Sequence, residues 1–495
     1  MTAHGAEAAA GDPGWRFDNA YARLPPLLFA RVAPTPVRAP RLVWLNRRLA
    51  VELGLDPDAL AAGAAEWFSG NRPPAGAEPI AQAYAGHQYG HFTNLGDGRA
   101  ILLGEQVTPA GTRVDIQLKG AGRTPFSRSG DGRAALGPML REAIVGEAMH
   151  ALGIPTTRAL AVVATGEPVY RERVLPGAVL ARVAASHLRV GTFQFAAALG
   201  REDLLEVLLA HAVARHAPAL VADPEPALAF LAWLLERQAS LVARWMAVGF
   251  VHGVMNTDNM ALSGETIDYG PCAFLDAYDP DTVFSSIDQH GRYAFARQPA
   301  IAHWNLARFA ETLIPLIPGG EEAAIGRLEA SLSPFPEHFE RERLAGLARK
   351  LGLPDAEPGD AALARDLLAA MTAARADHTA TFAALEPLAA GDGPPPAEHA
   401  AALAPVWLEA WRARLERQPG GRAAAGPRLA AANPAVIPRN HLVEEALAAA
   451  AGGDIGPCER LINAVSRPFA PRPEDAPFRL GPPPGSGCYR TFCGT

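Results

Sequence analysis

Between residues 99 and 105, and again between 113 and 119, apolar and polar positions alternate. Thr108-Pro109-Ala110-Gly111 lies between the two runs, and the pattern predicts a β-hairpin. On its second strand Val114, Ile116 and Leu118 take one face, which leaves Asp115, Gln117 and Lys119 on the other. The period then lengthens. A helix is predicted from Pro138 to a stop at Gly153, with proline inside its start and glycine past its end. On it Glu142, Val145, Met149 and Leu152 share a face. Residues 159–164 and 167–171 read as two short strands turning at Gly166, and residues 201–216 and 225–249 read as helices. Leu228, Leu231, Leu235, Val242 and Trp245 lie on one side of the second of these, as a floor beneath the loop after Phe250. Further helices are predicted over 302–315, 321–351 and 359–388. Pro/Gly-rich breaks at 391–396 and 419–427 precede and interrupt an α-helical extension built on 399–416 and 442–451. Residues 1–14 are small and polar and are expected to be disordered. Residues 471–487 form a proline-rich strap.

The chemistry sits where this patterning breaks down. After the apolar run ending at Phe250 comes Val251-His252-Gly253-Val254-Met255-Asn256-Thr257-Asp258-Asn259-Met260, and then Ile267-Asp268-Tyr269-Gly270. Asn256, Asp258, Asn259 and Asp268 bring carboxylate and amide oxygens to consecutive loops, a donor set for a hard cation such as Mg²⁺ that takes its other ligands from phosphates and water. A loop Asn followed by an Asp-x-Gly triplet is the kinase-like form of such a site. Glu142 on an apolar stripe needs a partner, because an unpaired buried charge is costly. Lys119 is the natural one, although by itself it also reads as a solvated lysine on a half-buried strand. Asn94-Leu95-Gly96-Asp97-Gly98-Arg99 is a glycine-rich turn able to approach a phosphate. Gly120-Ala121-Gly122-Arg123 and Ser127-Arg128-Ser129-Gly130-Asp131-Gly132-Arg133 make a long polar loop of the functional kind. Arg182 and Arg189, seven apart, can share a helix face and clamp phosphate oxygens; surface salt bridges are the other reading of that spacing. His187 beside them reads as structural.

Composition narrows the partners. The 495 residues are 49% hydrophobic and 20% charged, a globular composition, and a net charge of -7 gives no electrostatic footprint for nucleic acid. No apolar run is long enough to span a membrane and the start does not read as a signal peptide, so a cytoplasmic location is expected. Four cysteines make no disulfide framework, and Cys488 and Cys493 lack C-x-x-C spacing.

Nearly the whole chain resembles the selenoprotein O family of pseudokinase-like protein adenylyltransferases. The most specific stretches are Tyr84-Ala85-Gly86-His87-Gln88-Tyr89-Gly90-His91-Phe92, the block 115–142 and His252 to Met260. The resemblance implies a two-lobed, protein-kinase-like α+β fold. Residues 15–200 would form the N-lobe, 201–330 the C-lobe, and 331–495 a helical extension with a redox tail. It implies nucleotide contacts from Gly96, Gly98, Arg99, Lys119, Asp131, Gly132, Arg182 and Arg189, an ion pair from Glu142 to Lys119, Mg²⁺ or Mn²⁺ on Asn259 and Asp268, and Asp258 as proton acceptor. The implied reaction moves AMP from ATP to Ser, Thr or Tyr hydroxyls of protein substrates; UTP is a candidate additional donor, and the sequence does not decide between the two. One departure from kinases favours it: the kinase base should stand five residues before the metal-binding Asn, and Val254 there cannot accept a proton. A kinase-like phosphotransferase and an inactive pseudokinase scaffold with a redox role are the alternatives. The family's C-terminal cysteine further implies a Cys272–Cys493 disulfide, with Cys488 as the competing partner. Oligomeric state is not legible.

Overall fold

The structure is a computed structural model that describes residues 11–483, 485–486 and 489–491. Its first half is organised by an eight-stranded antiparallel sheet. The strand order is Phe29–Arg31, Ile80–Gln82, Ala100–Val107, Arg113–Lys119, Val174–Ala184, Arg158–Tyr170 and Arg41–Leu45, with Ala134–Ala135 pairing off the Val174–Ala184 strand. The predicted hairpin is present. Its turn closes through Gly111 N–H to Thr108 O at 2.9 Å, with Gly111 at φ +78°. Ala100 pairs with Lys119 and Leu180 with the same lysine from the other side, so Lys119 lies in the middle of the sheet.

The two-residue period sorts the sheet into two faces. Ile116, Leu118, Val179, Ala181 and Val183 pack beneath the helix Pro57–Ser69, with Trp67 and Phe68 as its largest contributions. The opposite face carries Asp115, Gln117, Lys119 and Arg182, and over it lies the helix Leu136–Ala151. That helix begins two residues before the expected proline and ends as predicted, at Gly153 with φ +73°. Its outer side is covered by Asn440–Ala451 and Gly456–Val465. The C-terminal helices thus fold back onto the helix that bears Glu142.

Several expectations are corrected. Residues 159–171 do not form a hairpin at Gly166: Arg158–Tyr170 is one continuous strand whose partner is Val174–Ala184, and a register shift near Pro176 absorbs the irregularity. Arg182 and Arg189 share no helix, since Arg182 is on that partner strand and Arg189 immediately precedes the helix Val190–Ala198. The predicted 321–351 helix is broken at Ser333-Pro334 into Glu321–Leu332 and Phe335–Lys350, and 359–388 is likewise several short helices. Disorder over 1–14 does not extend to Pro13, which is buried and accepts Asp56 N–H at 2.8 Å; residues 1–10 lie outside the described residues.

The second half is helical. Glu202–His216, Pro226–Ala247 and Gln298–Leu313 share one apolar core, to which Val145 and Met149 of the Glu142 helix also contribute. The architecture is therefore a mixed α/β region with a helical C-terminal region. Among the described residues no helix is long and apolar enough to cross a membrane.

Candidate active site

The loop from Val251 is held by three elements. Phe250–Val251 pairs with Ala273–Phe274, which anchors its start, and a single helical turn, Thr257–Asn259, presents Asp258 and Asn259. The hairpin Ala85–Gln88/His91–Asn94 clamps that turn: His87 N–H donates to Thr257 Oγ1 at 2.7 Å and Tyr89 N–H to Asn256 Oδ1 at 3.1 Å. Gly86 is required for the approach, because a Cβ there would meet Asp258 Oδ1 at 2.4 Å. The Tyr84–Phe92 motif is thus the seat of the turn that carries Asp258 and Asn259.

A cavity of about 260 Å³ lies between this turn, the Lys119 strand and the Glu142 helix. Lys119, Glu142, Arg182, Arg189, Asp258, Asn259 and Asp268 all line it, as do Gly98 and Arg99. Lys119 Nζ donates to Glu142 Oε2 at 2.8 Å and to Asp268 Oδ1 at 2.7 Å. Arg182 Nη1 donates to Glu142 Oε1 at 3.1 Å and to Asp268 Oδ1 at 2.6 Å, while its Nη2 reaches Gln117 Oε1 at 2.6 Å. Arg189 stands 3.7 Å from Asp268 Oδ2 and stacks 4.3 Å over the Tyr84 ring. The lysine–glutamate pair is therefore part of a five-membered buried cluster with three cations and two carboxylates. Asp268 itself adopts φ +63°, a left-handed conformation uncommon for a residue other than glycine.

Burial alone would raise both carboxylates, but Lys119 and Arg182 outweigh it and hold Glu142 low and Asp268 well below the usual range. Asp258 behaves oppositely: burial pushes it up to about 6, only partly offset by Arg189. Its Oδ1 is buried without a hydrogen-bond partner. Asn259 spends its amide nitrogen on Val254 O at 2.9 Å, which leaves its oxygen as the atom for a cation. Val254, five residues before Asn259, lines the cavity with an apolar side chain.

Other expected residues fall elsewhere. Asn256 lines the cavity, but its oxygen is taken by Tyr89 N–H and Tyr293 O–H, so it braces the loop. Gly96 packs behind the lining, where a Cβ would strike the Phe126 ring at 2.4 Å. Asp131 and Gly132 also lie outside the lining; Asp131 is paired with Arg171 at 2.8 Å, and Gly132 is pressed against Gly122. Cys272 is buried with its thiol pushed up to about 11 by burial, and Cys493 lies outside the described residues.

Among the lining residues outside the expected set are Tyr84, Gln88 and Asp97. Tyr84 supports Arg189, and Asp97 is buried with Oδ2 accepting from Gln82 N–H and Gln117 Nε2 at 3.1 and 3.2 Å. Burial pushes Asp97 up to about 6, with Arg189 opposing. Its signal was in plain view between Gly96 and Gly98, but the turn read as a glycine backbone motif.

Comparison with known proteins places the chain in a family. The family model described as protein adenylyltransferase SelO matches residues 14–466. The chain is 58% identical over 487 residues to the protein nucleotidyltransferase YdiU of Geobacillus kaustophilus, covering 98% of this chain and all of that one. It is 57% identical to the protein of the same name from Syntrophotalea carbinolica, covering 98% of each, and 55% identical to that from Rhizobium meliloti, covering 97% and 99%.

Proposed function

The chain belongs to the SelO family of protein adenylyltransferases, and on that premise we propose that it transfers AMP from ATP to Ser, Thr or Tyr hydroxyls of protein substrates, releasing pyrophosphate. The observation that carries this reading is the pairing of Val254 with Asp258 in one cavity: the kinase position for a base is apolar, and a carboxylate with an unpartnered oxygen stands four residues on. In the proposed step Asp258 takes the hydroxyl proton, the hydroxyl oxygen attacks the α-phosphorus, and the bond to pyrophosphate breaks. Burial makes Asp258 a stronger base than an exposed aspartate while leaving it ionised at neutral pH.

Lys119, Arg182 and Arg189 are the cations available to the phosphates, and Glu142 fixes the first two from behind. Asn259 and Asp268 offer one amide and one carboxylate oxygen, which fits a Mg²⁺ or Mn²⁺ ion completed by phosphate and water. When bound, that ion supplies neutralisation of charge on the phosphates. Gly98 and Arg99 would lie along the nucleotide. We read the sheet with its Lys119–Glu142 pair as a kinase-like N-lobe and the helical region beginning near residue 201 as the C-lobe, with residues 331–495 as the extension. UTP is a second candidate donor.

A Cys272–Cys493 disulfide is also proposed. What supports it is the tail: Thr491 Oγ1 donates to Pro271 O at 2.8 Å, one residue from Cys272. The decisive experiment is mass spectrometry of the protein and a generic acceptor after incubation with ATP and Mg²⁺. An adduct of AMP mass with pyrophosphate released supports the reading. An adduct of phosphate mass with ADP released overturns it.

A further inference from the structure

Of the 45 Lys and Arg residues in this chain only two are lysines, Lys119 and Lys350. The first is the hub of the buried cluster already described. The second is also buried, 4% exposed, at the C-terminal end of the helix Phe335–Lys350. Its Nζ lies 4.1 Å over the Phe382 ring and has no hydrogen-bond or ion-pair partner among the described residues. If the site served only packing, Met or Leu would cover that ring without the desolvation cost. A cation alone would have been supplied by arginine, as elsewhere in this chain. What lysine offers and arginine cannot is a neutral, nucleophilic amine.

Lys350 lines a cavity of about 500 Å³ that also receives Arg244, Arg349 and Arg428, with Leu152 and Phe469 on its apolar side. No carboxylate lines it among the described residues. The C-terminal ends of Leu136–Ala151, Pro226–Ala247 and Phe335–Lys350 meet here, which explains why cations gather. The exposed carbonyls nevertheless occupy only part of the donors. Arg244 Nη1 donates to Gly153 O at 3.0 Å, and Arg428 Nε and Nη1 donate to Gly352 O and Pro419 O, both at 3.2 Å. Arg428 Nη2 is buried with no partner, and none of the four cations has a carboxylate partner among the described residues. In a chain of net charge -7, four such cations around one apolar-walled cavity are arranged for an anion.

We propose that this cavity is a second ligand site, distinct from the nucleotide cleft, for a small aldehyde that carries a phosphate or carboxylate, and that Lys350 binds it as an imine. The arginines hold the anionic group and the amine takes the carbonyl. The Lys350 nitrogen lone pair attacks the carbonyl carbon, both amine hydrogens leave with the carbonyl oxygen as water, and a C=N bond replaces C=O without change of oxidation state. Burial supports the chemistry by lowering Lys350 to about 7, so a large fraction of the amine is free at neutral pH. His378, edge-on to the Phe382 ring, is held low by burial and then by Lys350 and Arg439, and so adds no competing charge.

With only two lysines and one terminal amine, the test is clean. The full chain is incubated with pyridoxal 5′-phosphate in the presence of ATP and Mg²⁺ to shield Lys119, reduced with borohydride and peptide-mapped. Neutral pyridoxal and glyoxylate are run in parallel. Lys350 should be labelled toward one equivalent, at concentrations at least tenfold lower with the phosphate than with neutral pyridoxal; preferential labelling by glyoxylate would assign the anion as a carboxylate. Arg349→Ser, at the exposed rim, should weaken labelling severalfold with the thermal unfolding temperature unchanged, and Lys350→Arg should abolish it. The proposal is overturned if native Lys350 stays unlabelled while the terminal amine reacts. Equal labelling by charged and neutral aldehydes, or wild-type labelling of Arg349→Ser, overturns the anion site. Nucleotide transfer enters none of these readouts.

Discussion

Replacing Glu142 by glutamine keeps the side chain's shape and removes one charge from the centre of the buried cluster. In the folded protein the carboxylate takes Lys119 at 2.8 Å and Arg182 at 3.1 Å, all three side chains being at most one-tenth exposed. Removing one partner of a buried ion pair costs about 3–5 kcal/mol because the other charge stays buried. Here Lys119 and Arg182 both retain Asp268, at 2.7 and 2.6 Å, which places the loss near the lower end, about 3 kcal/mol. The cluster then holds three cations against one carboxylate, so Lys119 is drawn onto Asp268 and away from the position Glu142 gave it. Glu142→Gln should therefore lower the midpoint of chemical denaturation and slow AMP transfer more than it weakens ATP binding measured by calorimetry. Combined with Lys119→Met in a double-mutant cycle, the coupling energy should be on the order of 2 kcal/mol, as for contacting residues in one network. A wild-type denaturation midpoint in Glu142→Gln, or strictly additive losses in the cycle, would show that the pair does not act as a unit.

The same geometry sets three other outcomes. Asp268→Asn, which tolerates the left-handed backbone at φ +63°, should leave a folded protein without transfer activity; near-normal turnover with ATP and Mg²⁺ refutes its role at the metal. Asp258→Asn should cut transfer by about 10² to 10⁴-fold while sparing nucleotide affinity, and loss of ATP binding by calorimetry would make it a binding residue instead. For Lys350 the sign is that of a base lowered by folding: its burial opposes stability fully below about pH 7 and fades as pH rises toward 10.5, where the unfolded chain also loses the proton. Lys350→Met should thus stabilise the protein by up to roughly 5 kcal/mol near pH 6.5 and by much less near pH 9.5. An equal gain at both pH values in thermal unfolding would mean that the amine is not desolvated.

Much of the machinery was legible because it obeys local rules. The two-residue period from Arg113 to Lys119 put Lys119 opposite Ile116 and Leu118, and the 3.6-residue period put Glu142 on a buried stripe; two short-range patterns sufficed to pair them. A proline marked the start of the Glu142 helix and a glycine its end, glycines marked the turns that need positive φ, and the apolar Val254 marked the departure from the kinase motif. What the sequence could not settle was whatever depends on a strand's partner. Nothing local distinguishes a hairpin turning at Gly166 from one long bulged strand, because the choice is made by hydrogen bonding to Val174–Ala184. For the same reason the spacing of Arg182 and Arg189 suggested a helix face, whereas a sheet and a loop bring them to Asp268 from different directions. Asn256 braces the loop instead of offering its oxygen to a cation, and Asp97 lines the cavity unexpectedly, because burial and competing donors, both tertiary properties, decide where a side-chain oxygen is engaged. The sequence determined which chemistry the chain carries, through residue type and local period; the fold decided which of those groups meet, because contacts between residues more than a hundred positions apart are fixed only when the sheet and helices pack.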